Sequence, residues 1–102
     1  MIVINAKITS TPENIDAMRE AIITMEAASR AEDGCEDYTF SQEIGDAGSM
    51  RITERWTTEA ALVAHFATPH MAAFQGAMAA NPPASVEVTC YEATERPMPA
   101  MS

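Results

Sequence analysis

Four stretches of the chain alternate apolar with polar residues, and helix-like stripes are set between them; that order constrains the fold more than any motif does. Successive side chains of a strand point to opposite faces. Ile2 to Thr9 therefore puts Ile2, Ile4, Ala6 and Ile8 on one side and Val3, Asn5, Lys7 and Thr9 on the other. Tyr38, Phe40, Gln42 and Ile44 repeat the pattern against Asp37, Thr39, Ser41 and Glu43. Gly45-Asp46-Ala47-Gly48 predicts a turn, so the third stretch should return antiparallel to the second. It carries Met50, Ile52, Glu54 and Trp56 on one face and Arg51, Thr53, Arg55 and Thr57 on the other. Val86, Val88 and Cys90 alternate with Glu87, Thr89 and Tyr91 in the fourth.

The helices are signalled by caps and spacing. Ser10-Thr11-Pro12-Glu13 combines a hydroxyl cap, Pro in the first turn and Glu three after Ser. Ile15, Met18, Ile22 and Met25 then recur at helical spacing, and Asp33-Gly34 supplies a stop, with Gly suited to the left-handed closing position. Thr57-Thr58-Glu59 caps a second helical segment with Leu62, His65 and Phe66 on one side. Thr68-Pro69 interrupts it and restarts a helix striped by Met71, Phe74 and Met78, and Asn81-Pro82-Pro83 ends that one. The order is β-α-β-β-α-β, an α+β chain of the ferredoxin-like split βαβ pattern. One domain is expected over residues 1–93, with residues 94–102 as a tail that is either unordered or reaches to a partner.

Apolar residues make up 47% of the chain, enough for one core. A domain this small leaves roughly a third of its unfolded-state surface exposed, so burial in a homodimer would be a natural gain. Net charge is −9, and the six Lys and Arg are scattered, which excludes phosphate-neutralising surfaces: no nucleic acid and no anionic membrane are expected as partners. No run approaches the ~20 apolar residues of a membrane span, and no basic region precedes an apolar one at the N-terminus. A cytoplasmic location is the default expectation. Cys35 and Cys90 are read as reduced thiols in or near the core.

Few residues invite chemistry. Glu54, between Ile52 and Trp56 on an inward face, needs a partner: an arginine, a helix N-terminus or a pocket. Trp56, the only tryptophan, is either a core aromatic or the wall of a pocket for a flat ligand. His65 shares a side with Leu62, so it faces inward; a neutral imidazole there could accept a phenolic proton. His65 and His70 are five apart, not the four of a helical metal pair, and no third ligand is in view, so no metal is expected. Asn5 needs partners or solvent, and Arg51 and Arg55 lie opposite Trp56, suited to surface or dimer ion pairs. No phosphate loop, C-x-x-C pair or nucleophile elbow occurs, so no cofactor is expected.

Glu32-Asp33-Gly34-Cys35-Glu36-Asp37-Tyr38 resembles the E-x-G-C-x-x-Y segment of the antibiotic biosynthesis monooxygenase family. Thr53 to Ala60 resembles that family's E-x-W-x-s-x-e-a segment, and Ala64 to Phe74 its a-H-x-x-T-P-H-x-x-x-(F/Y) continuation, nearest the bacterial quinol monooxygenase type. The resemblance implies a homodimeric α/β barrel with a pocket between sheet and helices. It implies oxidation of a small aromatic or quinol with O₂ and no metal or flavin. His65, Asn5 and Glu54 would serve catalysis, and Trp56, Tyr38, Phe40, His70 and Phe74 would hold the substrate. Haem degradation, found in related members, is disfavoured because Gln75 stands near the haem-ligand position. The alternatives are a ligand-binding or stress-response dimer without catalysis, and an isomerase of a small polar substrate.

Overall fold

Strand parity sets the sheet. The computed structural model describes residues 1–101. β1 (Ile2–Thr9) lies at the centre, antiparallel to β3 (Asp46–Trp56) on one side and to β4 (Ser85–Glu92) on the other; β2 (Cys35–Glu43) adds antiparallel to β3, giving the order β2-β3-β1-β4. The register sets Ile4 beside Glu54, Ala6 beside Ile52 and Ile8 beside Met50, while Tyr38 and Phe40 stand beside Glu54 and Ile52. These residues share one face, as the alternation predicts, and the helices cover that face only. This is the ferredoxin-like α+β order expected from the sequence.

The helical stripe expected after Ser10 is present but divided. α1 (Pro12–Ala17) and α2 (Arg19–Arg30) meet at Met18, yet Ile15, Met18, Ile22 and Met25 are all buried. Full burial of each such side chain contributes roughly 1.5–3 kcal/mol. Thr11, rather than Ser10, is the cap: its hydroxyl accepts from Asn14 N at 3.1 Å. Ser10 instead accepts from Asn14 Nδ2 at 2.7 Å, and the same amide donates to Asn81 O at 3.0 Å, which ties α1 to the far end of the last helix. That part of the chain is α3 (Glu59–Phe66) followed by α4 (Pro69–Ala80), capped by Thr58 and Thr68. Leu62 and His65 take the inward side of α3, and Phe66 falls outside it, half exposed, against expectation.

Two further expectations are corrected at the sheet margins. A register shift between Gln42 and Glu43 carries Ile44 out of the alternation into a tight turn, where it is fully exposed, and β3 already begins at Asp46. Cys35 is half-buried and Cys90 exposed, both as free thiols, because no helix covers the inner face of β4. The two edges of the sheet differ. At β2, Phe40 N donates to Glu26 Oε2 at 2.8 Å and Arg30 Nε donates to Tyr38 O at 2.9 Å, so α2 satisfies two backbone groups of the outer edge. At β4 every residue is exposed. Beyond Glu92 the described residues form no helix or strand, and Ser102 of the expected tail lies outside them. Among the described residues no helix is long and apolar enough to cross a membrane.

Gly34 joins the helical layer to β2 at a φ of +81°, the left-handed region its position predicts. Its carbonyl accepts from Thr57 N at 2.8 Å, and a Cβ there would meet Ala61 Cβ at 2.6 Å and Thr57 Oγ1 at 2.8 Å. Gly34→Ala is therefore expected to destabilise the chain by at least the roughly 1–3 kcal/mol of a left-handed non-glycine residue. Urea denaturation reads this directly, and an unchanged midpoint would refute it.

Candidate functional site

α4 does not extend over β4, so the inner face of the sheet is left partly uncovered. The gap is a groove of about 360 Å³, floored by Ile4, Ala6 and Ile52, walled by Phe74, and reaching Val86 and Val88 on β4. That is within the size range of small-molecule pockets, and large enough for an aromatic ring. Its polar groups are few: Glu54 and Tyr38 from the sheet and Gln75 from α4.

Glu54 is almost fully buried, and its Oε1 accepts from the Trp56 indole N–H at 3.0 Å. Parity explains the pair: residues two apart on a strand share a face. Burial pushes the Glu54 carboxyl above the usual carboxylate range, and the indole hydrogen bond and the nearby His65 pull it partly back. Burial, followed by the charge of Glu54, likewise drives the Tyr38 phenol up. The Cys35 thiol is raised by burial and then by Glu32, the opposite of what activates a thiol nucleophile.

Trp56 is completely buried and sits behind the groove. Its ring lies 4.8 Å from that of His65 and meets Tyr38 edge-on at 6.5 Å. His65, also buried, approaches Glu32 Oε2 through Nδ1 at 2.6 Å, and His70 approaches the same oxygen through Nε2 at 2.8 Å. A carboxylate only accepts, so both imidazoles donate, which fixes the neutral His65 tautomer with Nε2 bare. Glu32 is not among the site residues expected from the sequence, and its carboxylate is a third potential ligand beside the histidine pair. The available signal was its place in the E-x-G-C-x-x-Y segment, beside the glycine that turns the loop.

The expected site residues are thus divided among four places. Glu54, Tyr38 and Phe74 meet at the groove, with Phe40 packed on Phe74 at a ring distance of 5.5 Å. Trp56 and His65 form the layer behind, and His70 lies at a rim between α2 and α4. Asn5 does not join them: it pairs with Thr53 and Thr89 and is exposed on the opposite face of the sheet, as its odd position in β1 requires. Arg51 is on that face too, paired with Glu43 at 2.9 Å.

The architecture and the sequence have known counterparts. A family model for antibiotic biosynthesis monooxygenases matches residues 1–77. YcnE of Bacillus subtilis (strain 168), provisionally named a monooxygenase, is 33% identical over 79 residues, 78% of this chain and 80% of its own length. The crystal structure of a Deinococcus radiodurans protein, provisionally assigned to antibiotic biosynthesis monooxygenases, superposes with a TM-score of 0.87 at 26% identity over the whole of both chains. PA3566 from Pseudomonas aeruginosa superposes with a TM-score of 0.81 at 28% identity, covering 92% of this chain and 94% of its own.

The raised Glu54 carboxyl carries a stability prediction. A folded-state pKa above the unfolded one favours folding while the group is protonated, and that advantage is lost as pH rises through the folded-state value. Glu54→Gln keeps an acceptor for the indole and cannot ionise. It should equal or exceed the parent in stability at neutral pH and lose that relative advantage near pH 4. Urea denaturation of both proteins at the two pH values tests the sign; a substitution more favourable in acid than at neutrality would reverse it.

Proposed function

The chain belongs to the antibiotic biosynthesis monooxygenase family, and from that premise we propose that it oxidises a small electron-rich aromatic of the hydroquinone type with O₂ in the groove beneath α4. The observation that carries this reading is the groove itself: apolar walls around a volume that admits an aromatic ring, with a single raised carboxyl among them. The substrate ring packs against Phe74 and the floor of β1, with a hydroxyl at Glu54. Glu54, rather than the buried His65, then takes the phenolic proton. Desolvation suits it, since a carboxylate held above its ordinary range is a stronger base.

The chemistry balances without a bound cofactor. The phenolate passes one electron to O₂, and the semiquinone and superoxide recombine at a ring carbon. Loss of water from the resulting hydroperoxide gives the hydroxyquinone. One hydroquinone and one O₂ become one hydroxyquinone and one water, and the proton held by Glu54 leaves in that water. Once its open side is covered, the groove excludes solvent and keeps the radical pair together. A second copy of the chain along β4 would cover the open side at Val86 and Val88, in keeping with the homodimer that the family resemblance implies.

A second reading, a dimeric ligand-binding protein without catalysis, is favoured by one observation. Glu54 is already paired with Trp56, and both histidines are paired with Glu32. An isomerase of a small polar substrate has less support, since the groove offers few charged groups. Oxygen consumption with substituted hydroquinones and anthrones separates these readings. The expected result is saturable O₂ uptake forming the hydroxylated quinone, with kcat falling about 10²–10⁴-fold in Glu54→Gln, the usual contribution of a positioned base. Ligand binding without O₂ uptake would establish the second reading instead, and full turnover by the variant would remove Glu54 from the mechanism.

A further inference from the structure

Glu32, His65 and His70 come from three different segments: the loop after α2, the end of α3 and the first turn of α4. Their donor atoms Oε2, Nδ1 and Nε2 nevertheless all lie within 4.8 Å of one another. On one continuous helix, residues five apart point about 140° away from each other. The break at Thr68-Pro69 removes that divergence by placing the two imidazoles on separate helices. The Thr68 side chain holds the junction, donating to His65 O at 2.8 Å and accepting from Met71 N at 3.2 Å.

We propose that Glu32, His65 and His70 form a binding site for one divalent first-row transition ion, with zinc the natural occupant. Two imidazole nitrogens and one carboxylate oxygen are the donors such ions take, whereas magnesium and calcium prefer an all-oxygen shell. Three protein ligands leave a coordination position for water, and the site lets water in: the Glu32 and His70 side chains are 14% and 19% exposed. A recess of about 220 Å³ between α2 and α4 opens beside His70. Ligands about 2.0–2.1 Å from zinc stand roughly 3.3 Å apart in a tetrahedron. The present separations of 2.6 and 2.8 Å therefore need to widen by about 0.5–0.7 Å, and the two imidazole nitrogens, within 4.8 Å of each other, need to settle at the same spacing. On loading, the ion takes the place of the two shared hydrogens: the His65 proton moves from Nδ1 to Nε2 and the His70 proton from Nε2 to Nδ1, so each imidazole stays neutral.

None of the three residues lines the groove, so the ion would not touch a substrate there. It would instead fix the loop and the α3–α4 junction against which Trp56 and Tyr38 pack. This inference is independent of the oxygenase reading.

The test is titration of the full chain, first freed of metal by a chelator, with Co²⁺, followed by visible absorption and calorimetry. Expected is one Co²⁺ per chain, bound with micromolar or tighter Kd, displaced by Zn²⁺, and lacking a near-ultraviolet thiolate charge-transfer band. Glu32→Gln and His70→Ala, both checked for native circular dichroism, should each weaken binding more than about 100-fold, beyond the range lost when only outer partners of a ligand are removed. Absence of saturable binding to the parent would overturn the proposal. So would equal binding by the variants, or a thiolate band that places the ion at Cys35 or Cys90.

Discussion

The Glu32 carboxylate takes hydrogen bonds from two imidazoles on two helices through a single oxygen. Much of the layered interior is arranged around that atom. It holds the loop that starts β2 against the α3–α4 junction, and it fixes the plane of His65. The ring of His65 then packs on Trp56 and Tyr38, and Trp56 gives its N–H to Glu54. Glu32, both histidines, Trp56 and Glu54 thus satisfy one another in two linked sets, whereas Ser29 Oγ, buried on α2, has no such partner. Buried polar groups are costly when unpaired, and a fully paired set specifies one arrangement over its neighbours. Glu54 is the member left nearest the groove, and its raised carboxyl is the electrostatic cost of standing there.

Alternation along the strands made the sheet and its covered face legible before any coordinates. The inner residues of β1, β2 and β3 fall where parity puts them, and the stripe from Ile15 to Met25 is buried throughout. What parity could not show was where the pattern stops. Ile44 continues the alternation in sequence, but a register shift removes it from the sheet. β4 alternates well, yet no helix reaches it, since the amount of cover above a sheet depends on helix placement and not on the strand. The site was less legible for a similar reason. Glu32 lies in no periodic element, so only the three-dimensional turn at Gly34 brings it to the histidines. Asn5 is the opposite case: parity already set it apart from Glu54 and Trp56, and family resemblance drew it to a site that its own face excludes.

The uncovered strand and the groove are one feature seen twice. Had α4 extended over Val86 and Val88, the inner face would be closed and the core larger, but there would be no space between helix and sheet. The chain leaves apolar side chains on β4 partly exposed, and with them a cavity of ligand size. Stability and a binding site therefore compete for the same surface, and a partner laid over β4 would serve both.

The two margins of the sheet also differ in what they can join. Glu26 takes the Phe40 N–H and Arg30 the Tyr38 carbonyl on the outside of β2, while among the described residues no side chain bonds to the outside of β4. A strand from another molecule would therefore meet fewer side chains already in place at β4 than at β2. Two chains that added to each other along β4 would use that margin in both, and such a pair closes on itself. Glu26 and Arg30 on α2, remote from any chemistry, would thereby bias the margin at which the sheet can grow.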